Sequence, residues 1–174
     1  MNTDLFYPAP PGLPVPVSPP RGGPVTLQQL RDLDTTNLPG VQASELILAG
    51  ALWLHGFLEE SHVISQGLGS SEGSYWHALM HRSEPDFSNS KYWYRRVGKH
   101  AIFPELREAV GKIDVRGAEA TRAMRSLLVG PDWDPFQFVD LVEQAARGRF
   151  GDLALIQGIA SAEYRLLMGY CLER

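Results

Sequence analysis

Four of the five histidines and two glutamates fall into two triples of equal spacing. His55, Glu59 and His62 stand at i, i+4 and i+7, and His77, His81 and Glu84 stand at i, i+4 and i+7 in turn. At about 100° per residue each triple lies within roughly 60° of helical arc, so each makes one polar stripe on one helix face. Glu59-x-x-His62 is the interval by which a bundle helix offers a carboxylate and an imidazole to one metal. His77-x-x-x-His81 is the interval by which two imidazoles on one helix reach a single ion. With the two stripes face to face, a divalent ion (zinc, iron, nickel or manganese) would take His55, Glu59, His62, His77 and His81. A metal-free site would instead use His77, His81 and Glu84 as catalytic acid–base groups, a carboxylate orienting an imidazole. The plain alternative is that the histidines are hydrogen-bonded core residues and the glutamates pair with nearby arginines. The metalloprotease H-E-x-x-H pattern is absent. The bundle di-iron pattern is incomplete as well, since Glu163 in the last helical segment is the only obvious extra donor.

Two helices must position these groups. The first is apolar nearly all round from Leu46 to Trp53, as in a helix buried on every side, and Leu48 and Leu52 lead into His55 on the same face. Ser44 reads as its N-cap, with Glu45 in the first turn. The second runs from about Gly73 to Ser83 and stops because Pro85 disfavours helical geometry at Glu84. The short Gly/Ser-rich linker between them, Gln66 to Gly73, predicts an antiparallel return.

The segment from Tyr75 to His100 carries a second constellation in which cations alternate with aromatic rings. Arg82, Lys91, Tyr92, Arg95 and Arg96 read as substrate-binding residues: guanidinium forks grip carboxylate or phosphate while aromatic faces hold a ring or sugar. Structural pairing and helix-dipole complementation use the same residues. Stacking on single-stranded nucleic acid is a third use, opposed by neighbouring Glu84 and Asp86 and by the net charge of −4. Glu84-Pro85-Asp86 makes a rigid bend that either aims carboxylates into a pocket or caps the next helix; capping suits Asp86, and Glu84 stays open.

Elsewhere the pattern is helical. Thr26 caps a short helix with Leu27, Leu30 and Leu33, ended by Leu38-Pro39-Gly40. Ser88 caps a helix to Val97, with Gly98 at its C′ position. Pro104 opens Glu105 to Lys112. Ala118 to Val129 is amphipathic, Asp134-Pro135 with Gln137 starts a helix reaching about Ala146, and Asp152 to Leu172 is the longest. No strand, repeat or interior boundary is visible. The fold expected is all-α: residues 1–24 a proline-rich extended arm, residues 25–174 one irregular bundle of about six to seven helices.

Composition narrows the function. A chain of 174 residues, 44% apolar, suits one domain with a sizeable core. A net charge of −4 argues against nonspecific duplex binding. The single cysteine, Cys171, excludes an internal disulfide and a cysteine-based metal cage, and reads as a small buried hydrophobe. No secretory signal is visible, and the most apolar window, Leu46 to Leu58, is shorter than the roughly 20 residues of a bilayer span, so a cytoplasmic location is the default. No Gly-rich phosphate loop, G-x-S-x-G elbow or Rossmann fingerprint is present.

The runs SHVISQGL, GSYWHALMHRSEPDFSNSKYWYRRVGKH and AEYRLLMGYCLER resemble a group of small uncharacterised bacterial and fungal all-helical proteins. W-H-x-x-x-H-R-x-E-x-D followed by N-x-x-Y-W-x-R-R is the specific part, and the likeness covers most of residues 46–174. It implies a shared fold and a shared site, with no activity attached. The resulting expectation is a small helical enzyme whose histidine/glutamate cluster acts on a small polar or anionic substrate. The alternative is a non-catalytic anion-binding or interaction protein with the same pocket, the arm and last helix then serving a partner or a homodimer.

Overall fold

The computed structural model describes residues 25–32 and 41–173. The proline-rich arm and the readings at Leu33 and Leu38-Pro39-Gly40 lie outside the described residues. Among those residues there are nine helices and no strand: α1 (Leu27–Arg31), α2 (Val41–Leu54), α3 (Leu58–Gly67), α4 (Ser71–Ser83), α5 (Phe87–Val97), α6 (Phe103–Gly111), α7 (Ala118–Leu127), α8 (Pro135–Ala146) and α9 (Leu153–Leu172). None of them is long and apolar enough to cross a membrane.

Local signals set most of the helix starts. Thr26 and Gln29 form a reciprocal capping box on α1, with Thr26 Oγ1 accepting from Gln29 N–H at 3.2 Å and Gln29 Oε1 accepting from Thr26 N–H at 2.8 Å. Asp134 accepts from the Phe136 amide at 2.9 Å and from Gln137 Nε2 at 3.2 Å ahead of α8. Asp152 accepts from the Leu155 amide at 2.9 Å ahead of α9. Two expected caps are displaced. Asp86, and not Ser88, caps α5, accepting from the Asn89 amide at 3.2 Å and from Ser88 Oγ at 3.0 Å. Ser44 lies inside α2, whose helical residues are described from Val41 onward.

The largest departure from the sequence reading is at His55. The stretch expected to carry one helix through His55, Glu59 and His62 divides into α2 and α3, which helps raise the helix count above six to seven. Gly56, at φ +80°, takes the left-handed C′ position. Its N–H donates to Trp53 O at 3.1 Å and that of Phe57 to Leu52 O at 2.9 Å, the bond pair of a Schellman motif. The chain therefore turns between His55 and Glu59, and the first polar stripe does not exist.

α4 is the interior element, packed against α2, α3 and α5, while α9 packs against α2, α6 and α8. Every residue of α4 from Gly73 to Ser83 is buried. Polar groups there are satisfied by neighbouring helices: Ser83 Oγ accepts from Trp53 Nε1 at 3.0 Å, and Ser90 Oγ donates to Ala78 O at 2.8 Å. α2 lies so close to α4 that a Cβ on Gly50 would stand 2.6 Å from Trp76 Cζ2 and 2.8 Å from Met168 Cε. The Trp76 indole is itself wedged between Trp53 and Tyr164, with ring centroids 6.5 and 5.7 Å away. Gly50→Ala should therefore destabilise by about 1–3 kcal/mol through overpacking, although alanine is the better helix former by about 1 kcal/mol. A urea midpoint equal to or above that of the wild type would contradict this close approach.

Candidate metal centre

Three histidines from two helices converge where α3 folds back on α4. His62 lies on α3; His77 and His81, one turn apart, lie on α4. One ligating nitrogen from each lies within 4.8 Å of the others. The His77 and His81 Nε2 atoms are 2.9 Å apart, so one donates and the other accepts. The His62 ring meets His77 and His81 edge-on, with centroids 4.6 and 5.3 Å away. His77 and His81 are buried and His62 is half-buried.

α5 supplies the wall. Asn89, Trp93 and Arg96 stand at i, i+4 and i+7, so they share a face. Asn89 Nδ2 lies 3.0 Å from His81 Nε2. The Trp93 indole stacks on His77, with centroids 3.9 Å apart and planes 19° from parallel. The Arg96 guanidinium carbon lies 5.0 Å from the Trp93 ring centroid. Sequence reasoning passed over Asn89 and Trp93 as site residues; the same interval rule that selected the histidines would have found them.

The electrostatics keep the His77 and His81 rings neutral. Burial, then the proximity of His81 and of His62, lowers the His77 pKa from 6.5 to about 3, with the Ser65 backbone acting weakly the other way. The His81 pKa is lowered by burial and then by His62, with Asp86 opposing. Neutral rings keep lone pairs for a cation. Zinc–nitrogen distances of about 2.0–2.1 Å put tetrahedral ligand nitrogens about 3.4 Å apart, so closing this triad on an ion takes side-chain rotations on the order of an ångström. Neither the His77 nor the His81 Nδ1 meets a partner at hydrogen-bond geometry among the described residues. The nearest carboxylate on His81 Nδ1 is Glu84 Oε2 at 3.8 Å.

The remaining candidates are distributed elsewhere. His55 sits in the turn after α2, buried, and Glu59 is exposed in the first turn of α3, where it complements the helix dipole. Neither belongs to the converging group: the Gly56 turn takes His55 off the helix that carries His62, while Glu59 stays on α3 three residues before His62, exposed and not among the converging donors. Glu84 is the C-cap of α4, beside His81. Arg82 points the other way on α4, buried, with Nη2 2.6 Å from Glu163 Oε2 and its guanidinium 4.6 Å from the Phe138 ring. Glu163 Oε1 also accepts from Tyr75 at 2.9 Å and from Tyr94 at 2.8 Å. Both residues expected to serve the site, Arg82 as an anion holder and Glu163 as the extra metal donor, are thus engaged with each other in the core. Lys91 pairs with Asp140 on α8. Arg95 lies over Phe136, 5.9 Å from its centroid. Tyr92 is half-exposed and meets Trp93 edge-on at 5.6 Å.

Comparison with known proteins adds no relative: no family, no curated protein and no solved structure matches the chain.

Proposed function

We propose that the chain is a small helical enzyme built on a three-histidine divalent-metal centre, His62, His77 and His81, acting on a small polar or anionic substrate. The observation that carries this reading is the convergence of three imidazole nitrogens within 4.8 Å, two of the rings buried and held neutral. Three imidazoles suit zinc, iron or nickel, and three protein ligands leave a coordination position open, as catalytic zinc sites do. An ion there would polarise a carbonyl or phosphoryl oxygen or lower the pKa of water, the chemistry of hydrolases and lyases. Glu84 beside His81 Nδ1 would orient that ring and raise its basicity as an outer carboxylate. Asn89, within reach of His81 Nε2, would orient the substrate or the ring. A ligand-binding protein without turnover would use the same residues. Its support is that no carboxylate is among the converging donors to serve as a close general base.

The test is metal analysis of protein purified without an affinity tag, followed by thermal melting with added zinc, ferrous iron, nickel or manganese. A matching ion at about 100 times its dissociation constant contributes about 2.7 kcal/mol, which should raise Tm by roughly 5–10 °C. His77→Ala and His81→Ala should abolish the rise. A protein that retains no metal and melts at the same temperature with all four ions would end this reading.

A further inference from the structure

We infer that Arg96 anchors an oxyanion, a carboxylate or a phosphate, carried by the molecule that binds at the histidine centre; this rests on the metal reading above. Four cations in the segment were candidates for that role, and their partners separate them. Arg82 is buried against Glu163, Lys91 pairs with Asp140, and Arg95 lies over Phe136 toward α8. Arg96 forms no ion pair and no hydrogen bond with the described residues, and it is exposed. Its guanidinium packs on Trp93, the indole that also stacks on His77. A guanidinium lying over an indole keeps its edge donors free for a bidentate anion.

Position argues the same way. The α5 stripe Asn89, Trp93, Arg96 runs along the triad: its first member touches His81, its second covers His77, and its third stands one indole further out. A small molecule with its reacting end over His62, His77 and His81 and an anionic group a few bonds away reaches Arg96 across the edge of Trp93. A bound cation and a guanidinium together make a local positive focus on a chain of net charge −4. The ligand class is therefore a small carboxylate or phosphate ester, amide or acid, not a neutral sugar or an apolar compound.

The experiment measures zinc affinity first, by calorimetric titration, on the wild type, Arg96→Gln and Lys99→Gln. Lys99 is an exposed cation just beyond the same helix and serves as the control for net charge. The zinc-loaded proteins are then titrated with inorganic phosphate and, separately, with acetate. The expected result is an unchanged zinc affinity in all three proteins and anion binding weakened at least about ten-fold in Arg96→Gln, with little change in Lys99→Gln. Whichever anion binds more tightly names the group the ligand carries. Equal anion affinity in wild type and Arg96→Gln, or no anion binding to the zinc-loaded wild type, overturns the assignment of Arg96 and leaves the metal centre standing. Loss of zinc affinity in Arg96→Gln also overturns it, since Arg96 would then act only by supporting Trp93 and His77. Absence of binding to the wild type by zinc, and by ferrous iron, nickel and manganese titrated in its place, removes both readings together.

Discussion

Replacing Glu163 with glutamine is expected to cost about 3–5 kcal/mol, the largest loss of any single substitution considered for this chain. Glu163 is fully buried and is the sole ion-pair partner of Arg82 among the described residues. Glutamine keeps an acceptor for the Tyr75 and Tyr94 hydroxyls but removes the charge that balances the guanidinium. The direction of the Arg82 pKa shows what is at stake. Burial works against its charge, yet the Glu163 carboxylate, followed by Tyr94, holds it above the ordinary arginine value. The same carboxylate, after burial itself, raises the pKa of Tyr75, so both tyrosines are donors at any ordinary pH. Losses of this size correspond to a fall in Tm of roughly 10–15 °C for a chain of this length. Arg82→Met alone should also be costly, because it leaves a carboxylate buried with two hydroxyls only. Arg82→Met combined with Glu163→Gln should regain at least half of either single loss, since neither unpaired charge then remains. Urea unfolding of the three variants decides the matter. Additive losses would mean that the pair is not coupled across α4 and α9.

That pair also shows where sequence reasoning stops. Arg82 and Glu163 are 81 residues apart, and nothing local to either says that they meet. Arg82 therefore read as an anion holder and Glu163 as a spare metal donor. What local chemistry controls was legible. Thr26 and Asp134 announce their helices because a cap acts on amides two or three residues away. His77 and His81 announce one face because the interval of four residues is the helix repeat. Their meeting with His62 was legible too, since the turn from Leu68 to Ser70 is too short for anything but a return. The failure at His55 has an equally local cause. Gly56 followed by Phe57 is a helix stop, a glycine for the left-handed position and then a hydrophobe, and the unbroken interval of the polar residues concealed it. The all-α bundle followed from periodicity, which a misplaced break leaves intact. The membership of the site did not: the Gly56 turn takes His55 away, and Glu59, still on α3 three residues before His62, stands exposed outside the converging group.

Acid should unfold the metal-free protein earlier than its carboxylates alone would require. The unfolded chain takes a proton on His77 near pH 6.5, while the native ring resists it down to about pH 3. Between those values the unfolded state binds more protons than the native state, so stability is complete above the upper limit and declines as pH falls toward the lower. The slope from one such group is at most about 1.4 kcal/mol per pH unit, and His81, also lowered, adds in the same sense. His77→Phe keeps an aromatic ring against Trp93 and removes the proton acceptor, so its urea midpoint should fall less steeply between pH 6.5 and 4 than that of the wild type. Parallel curves for the two proteins would mean that His77 is not held neutral, and the electrostatic case for a cation between the imidazoles would lose its basis. Added zinc should steepen the wild-type curve over the same interval. Protons and the ion compete for the same lone pairs, and each ligand that must shed a proton multiplies the loss of affinity as pH falls. His77→Phe removes one of those lone pairs, so its curve should be indifferent to zinc, which separates metal binding at this cluster from weak binding of zinc to the protein surface.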